Sequence, residues 1–251
     1  MQLAFSTWPQ VRDYLKRSKG VIVPVGSTEQ HGPTGPIGTD TLCAEVIARE
    51  LGRAADALVA PVIPVGMSVH HTAFPGSMTL KPSTLIQVIR DYVVSLAGHG
   101  LERFFFVNGH GGNEASIQAA FWEIYASVPE SMLANAERLR FMSTSWWTCP
   151  SVIKLRNVLF GDKEGGHATP SEISVAMAAC PDQNWSADRI PAGLTPSVEG
   201  RRLSDGAIGF RRDWPDGRIN SDPTLATPEK GKRFIEACVK DFVEAYRKFM
   251  A

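Results

Sequence analysis

VPVGSTEQHGPTGPIGTDT, residues 23–41, decides how this chain is read. With Val21 and Ile22 before it, the run 21–25 is short, apolar and rich in β-branched side chains, as a buried strand requires. A glycine-rich polar loop follows. From Thr39 the pattern changes period, and Leu42, Val46, Ile47 and Leu51 fall on one helical face. The stretch therefore predicts a strand, a loop at its C-terminal end, and a helix over 39–55. Working outward, residues 57–65 predict a second strand. Residues 83–97 predict a helix with Leu85, Ile86, Ile89, Val93 and Leu96 inside. Residues 103–107, with Phe104, Phe105 and Phe106 in a row, predict a third strand, and Asn113 caps a helix reaching about Ser127. Alternation of this kind predicts an α/β fold whose mainly parallel sheet is covered on both faces. Sites in such sheets lie beyond the C-terminal ends of the strands.

The rest of the chain is less regular. Residues 142–166 read as irregular around Trp146 and Trp147, a helix runs from Pro170 to about Ala179, and residues 185–227 read as ordered loops. The last helix starts at Thr227-Pro228-Glu229 and carries a core stripe of Phe234, Ile235, Cys238, Val239, Phe242 and Tyr246. The length of 251 residues suits one domain over 1–251.

Lys+Arg and Asp+Glu are both 26, so no basic field for nucleic acid follows. No apolar run approaches the roughly 20 residues of a membrane span, and the N-terminus lacks a secretory pattern. Cys43, Cys149, Cys180 and Cys238 form no C-x-x-C pair and read as reduced thiols of a cytoplasmic protein.

Chemistry concentrates at three places. Glu29 and His31 are two apart on a chain leaving a strand, so an extended path turns both the same way; the alternative is a solvated polar loop. Asp40 is either a carboxylate between two metal ions or an acid complementing the first turn of its helix. His110, in NGHGGN directly after the Phe-rich strand, points into the crevice, where the glycines supply no side chains. Glu172 fits a capping box with Thr169 and Pro170, which requires no metal; His167 is unexplained by that cap. His70 and His71 either line a pocket or lie in an exposed loop. Carboxylates and imidazoles converging from these places suggest a metal hydrolase.

VGSTEQHGPTGPIGTDT, HHTAFPGSMTL, NGHGGN and GHATPSE, in this order over roughly residues 20 to 180, resemble the creatininase (creatinine amidohydrolase) family. The resemblance implies a three-layer α/β/α sandwich, assembled as a homohexamer, with two divalent ions (Zn, Mn or Fe) per chain. One ion would take Glu29, Asp40 and His110; the other would take His31, Asp40 and Glu172. It makes His167 the proton-transfer group beside the substrate and Trp147 a cover for the substrate; Glu172 is expected to be catalytic with His167, and His71, as a pocket residue, to contact the substrate too. Two positions depart from creatininase. Gly111 and Gly112 stand where it carries an aromatic residue and a glutamate, and Lys163 replaces a second pocket tryptophan. The site is therefore more open and more polar, as in branches that act on formamides or on a peptide.

The implied activity is that of an amidohydrolase acting on C–N bonds other than ordinary peptide bonds. A water held between the two ions attacks the carbonyl of a cyclic amide or formamide, and His167 protonates the leaving nitrogen. The alternatives are a formamidopyrimidine deformylase or a peptidase of the same family, with Arg201, Arg202, Arg211 and Arg212 as candidate cations for a phosphate-bearing substrate. A non-catalytic metal-binding relative predicts the loss of a ligand, and none is missing.

Overall fold

Residues 20–25 pair on both sides along their length, and that pairing sets the rest of the architecture. The computed structural model of the chain describes residues 1–127, 136–183 and 206–251. Strand β1 (Gly20–Val25) lies between β2 (Leu58–Val59) and β3 (Arg103–Asn108), and β4 (Arg140–Ser145) completes a parallel sheet of order β2-β1-β3-β4. Strand side chains alternate between faces, and the core divides accordingly. Val21, Val23, Val25, Phe104 and Phe106 pack on one face against Leu85, Ile89 and Val93 of α3 (Pro82–Ala97) and Ile117 and Ile124 of α4 (Glu114–Ser127). Ile22, Phe105 and Val107 pack on the other face. There they meet Ile47 and Leu51 of α2 (Thr39–Ala54) and Phe234, Cys238 and Phe242 of α8 (Pro228–Met250). The sheet is thus covered on both faces, as the apolar runs require.

The chain moves from β1 to β2 on one side, then returns past β1 to β3 on the other. The connections therefore diverge between the C-terminal ends of β1 and β3, where open α/β sheets form crevices.

Four local expectations change. The second strand is only Leu58–Val59, because Pro61 and Pro64 have no amide hydrogen for a ladder. Residues 142–166 are not irregular. Edge strand β4 holds 140–145, and α5 (Pro150–Leu159) opens with proline at its first helical position. The strand escapes a periodicity reading because its polar side chains stand on a half-exposed edge. Asn113 does not cap α4, since its Oδ1 accepts from Met67 N at 2.9 Å and its Nδ2 donates to Gly26 O. Gly206–Asp213 forms a further helix, α7, within the stretch read as loops; its two glycines and adjoining arginines hide it. Helices α1 (Trp8–Tyr14) and α6 (Pro170–Ala179) complete the set. No described helix is long and apolar enough to cross a membrane.

Candidate metal centre

Glu29 and His31 leave the end of β1, His110 leaves the end of β3, and Asp40 opens α2 between them. Gly109 makes this convergence possible, because a Cβ there would collide with the carbonyl oxygen of Asp40. Glu29 and His31 are 0% exposed, Asp40 3% and His110 6%. Three groups have ligand atoms within 4.8 Å of one another: Glu29, Asp40 and His110; His31, Asp40 and Glu172; and Glu29, His31 and His167.

Hydrogen counting shows what these groups are suited to hold. His31 Nδ1 lies 3.0 Å from the Glu29 carbonyl oxygen, which can only accept. In the neutral ring Nδ1 therefore carries the hydrogen, and the Nε2 lone pair faces Asp40 Oδ1 at 3.1 Å and Glu172 Oε1 at 3.8 Å. His110 lies between Glu29 Oε2, 3.2 Å from Nε2, and Asp40 Oδ2, 3.2 Å from Nδ1, and Met67 O also faces Nε2 at 3.0 Å. One ring hydrogen cannot serve both edges. Each arrangement needs an added proton or a cation between imidazole and carboxylate. Without a metal, protons fill this role. Burial pulls His31 down, but Asp40 and Glu172 reverse it and lift the ring to about 10. Burial likewise opposes the rise of His110, and Glu29 and Asp40 outweigh it. Burial pushes Asp40 up, and His31 and His110 overcome it, leaving the carboxyl low. Asp40 Oδ2 and Glu29 Oε1 are buried with no hydrogen bond. Three carboxylates, two buried imidazoles and two orphaned oxygens fit a divalent-metal donor set.

The surroundings hold Glu29 in place. Its Oε2 accepts from Ser68 Oγ at 2.5 Å, and its Oε1 faces His71 Nε2 at 3.2 Å. His167 Nε2 faces the Gln30 carbonyl oxygen at 2.8 Å and therefore carries a hydrogen. That leaves the two hydrogens of Gln30 Nε2 for His71 Nδ1 and Gly217 O, and it places the hydrogen of neutral His71 on Nε2, the edge near Glu29, without forming a hydrogen bond to it. His71 is 2% exposed and does not line the cavity. This placement sets His71, expected to contact substrate, behind the Glu29 carboxylate, where it can orient that group.

Glu172 keeps its cap and still joins the group. Thr169 N donates to Glu172 Oε1 at 2.5 Å and Glu172 N donates to Thr169 Oγ1, while the same carboxyl stays with His31 and Asp40. A carboxylate has lone pairs for both tasks. Burial, with Asp40 adding to it against His31, raises Glu172 to about 7. Its side chain is 16% exposed, against 0% for His31 and 4% for Asp40. Between His167 and Thr169, Ala168 adopts a left-handed conformation, φ +53°. Burial, helped by the neighbouring His31, lowers His167 to about 4, so its ring is neutral near pH 7.

These groups open on a cavity of about 380 Å³ whose walls include Asp40, His110, Glu172, His167 and Trp147. Sequence reasoning missed three neighbours: Ser68 beneath Glu29, and Glu164 and Arg156 on the wall facing α6. No motif spacing marks them; only tertiary contact does. Lys163 is exposed and outside the lining. Arg211 lies over the Phe74 ring and Arg212 pairs with Asp213, both away from the cavity. Arg201 and Arg202 lie outside the described residues.

Comparison with known proteins agrees with this reading of the fold. The family model for creatinine amidohydrolase, Creatininase, matches residues 4–246. The mycofactocin precursor peptide peptidase of Mycobacterium ulcerans is 31% identical, over 95% of this chain and 84% of that protein. The creatinine amidohydrolase of Pseudomonas putida is 27% identical, over 96% and 94%. Among solved structures, a tryptophan-to-phenylalanine mutant of creatininase superposes with a TM-score of 0.85 at 23% identity, covering 99% of this chain and 98% of that one. A structure titled "Creatininase Mn" gives 0.75 at 25% identity, covering 99% and 98%. A parallel sheet flanked by helices, a motif order kept from β1 to α6 and a match spanning nearly every residue lead to one conclusion: the chain belongs to the creatininase (creatinine amidohydrolase) family of hydrolases.

Proposed function

We propose that the protein hydrolyses an amide C–N bond with two divalent metal ions, Zn²⁺, Mn²⁺ or Fe²⁺, held by Glu29, Asp40 and His110 on one side and His31, Asp40 and Glu172 on the other. The observation that carries this reading is Asp40, whose two oxygens each face an imidazole nitrogen, at 3.1 and 3.2 Å. A shared carboxylate between two ions meets that arrangement. When bound, such ions acidify water and polarise a carbonyl. The chain's own residues do the rest. Ser68 and His71 fix the rotamer of Glu29, and Thr169 fixes Glu172. His167, neutral near pH 7, has an unprotonated Nδ1, 3.8 Å from Glu29 Oε1. It takes up the proton released by the attacking water and delivers it to the leaving nitrogen. Trp147 forms the apolar wall over the scissile bond.

The substrate class is a small amide: a cyclic amide, a formamide such as a formamidopyrimidine, or the end of a peptide. The peptide reading is favoured by the relative named a precursor peptide peptidase and by Gly111 and Gly112, which leave that rim without side chains. The proposal includes one domain over 1–251 and a cytoplasmic location, in keeping with buried Cys43, Cys149 and Cys238 as free thiols. A homohexamer is also part of it, since Phe5, Trp8, Trp122 and Ile208 are 66–84% exposed. Metal analysis of the purified protein, followed by a screen of cyclic amides, formamides and short peptides with Mn²⁺ or Zn²⁺, tests it. Two ions per chain and turnover of at least one class are expected; stoichiometric metal with no amide cleaved overturns the hydrolase reading.

A further inference from the structure

The lining of the cavity includes a cation that the chemistry above does not use. Arg156, in the last turn of α5, lines the same cavity as Glu172, His167 and Trp147 and is half-buried. Among the described residues it makes no hydrogen bond through its guanidinium and no ion pair within 4 Å. The acid beside it does not neutralise it directly. Glu164 is close enough to feel the Arg156 charge, but its Oε1 accepts from the Ser171 hydroxyl and its Oε2 is buried without a partner. Glu164 is 7% exposed, and burial raises its carboxyl, which weakens it further as a counter-ion.

We propose that Arg156 is a substrate-specificity residue, and that the amide hydrolysed here carries a free carboxylate which Arg156 binds while the scissile bond lies at Asp40 and Glu172. The inference rests on the hydrolase reading and names its substrate class. A guanidinium presents paired donors that match one carboxylate in a bidentate fit. No other Lys or Arg lines this cavity among the described residues. A lone monovalent cation suits a carboxylate better than a phosphate dianion, which draws on several donors. The substrates that fit are N-acyl amino acids and peptides cleaved near a free C-terminus. A cavity of about 380 Å³ is of small-molecule size.

The test compares hippurate with hippuramide, which differ only in the carboxylate, binding each to metal-loaded and metal-free protein by isothermal titration. Hippurate is expected to bind about 10- to 100-fold more tightly, the range of charged hydrogen bonds. In Arg156→Gln that ratio falls towards one, while Arg156→Lys keeps part of it. Equal binding of the two probes, no binding of either, or an undiminished ratio in Arg156→Gln overturns the proposal. Displacement of hippurate by inorganic phosphate at lower concentration than by acetate also overturns it, in favour of a phosphate site. These readouts need no turnover. A protein that cleaves no amide yet still distinguishes hippurate through Arg156 refutes the hydrolase reading and the substrate named here, and leaves only Arg156 as a carboxylate-binding residue.

Discussion

The two walls of the cavity are built on different principles. The inner wall comes from the ends of β1 and β3 and the start of α2. Its Glu29, His31, Asp40 and His110 are at most 6% exposed, and each is held by a backbone carbonyl, a hydroxyl or a ring. The outer wall comes from the turn before α5, α5 itself, the turn after it and α6. There Arg156, Trp147 and Glu172 are only partly buried. The inner wall is sealed from solvent and keeps two carboxylate oxygens without a hydrogen bond, so its residues suit a donor set for a cation. The outer wall is underused by the protein itself, so a ligand can change what it binds there without disturbing the inner wall. In the proposed function, the difference assigns most of the metal donors to the buried wall and the contacts that select substrate to the more open one, a division open α/β sheets allow.

The comparison breaks first at Asp40. Asp40→Ala leaves two imidazoles without their shared acid. We expect loss of both ions by metal analysis and a fall in turnover of about 10³-fold or more, since the acidified water goes with them; retention of two ions would show the inner wall is not built as described. His167→Ala acts across the seam of the two walls. It is expected to lower kcat by about 10²- to 10⁴-fold with metal content unchanged, and metal loss would move His167 to the inner wall. Ser68→Ala removes a hydroxyl that supports Glu29 and also faces Ser27 and His110, and should weaken metal binding by about 10- to 100-fold, the usual size of the effect of losing a group behind a ligand. Thr169→Ala removes the cap of α6. A cost of about 1 kcal/mol in unfolding free energy is expected, read by denaturant titration of the metal-free protein, with little change at the inner wall.

The smallest effect is a proton count. In the metal-free protein His31 keeps its proton up to about pH 10, against 6.5 for an unperturbed ring. A raised folded-state pKa stabilises fully below the unfolded value and is lost as pH rises through the folded one. Metal-free protein should therefore lose stability between about pH 6.5 and 10 on this account. Loading with Mn²⁺ at pH 8 should release about one to two protons per chain, measured by calorimetry in buffers of different ionisation enthalpy. No release would mean the imidazoles were already neutral.

What could be read from the chain divides along the same line. The strand at 21–25, the helix at 39–54 and the strand at 103–108 carry strong periodicity, and the motifs at their ends already point to Glu29, His31, Asp40 and His110. β4 and α7 escaped notice, because an edge strand bears polar residues and a short helix with two glycines has little apolar face. Glu172 was legible twice over, as cap and as ligand; the structure keeps the cap and sets the same carboxyl beside His31 and Asp40. The surroundings of His71 were not legible, because adjacent histidines in a turn look alike in sequence, while only packing decides that one is sealed behind Glu29. Arg156 and Glu164 had no motif at all; their meaning depends on which residues they fail to touch.

The left-handed turn at Ala168 links the two walls mechanically. A residue with a Cβ held at φ +53° costs about 1–2 kcal/mol, and that single reversal sets the angle between His167 and the first turn of α6. In the proposed mechanism the proton carrier His167 and the ligand Glu172 thus share one backbone reversal, so a change at Ala168 reaches both. A protein so built would be tuned through the pivot, by a glycine there to slacken both arms together, rather than by loosening either arm alone.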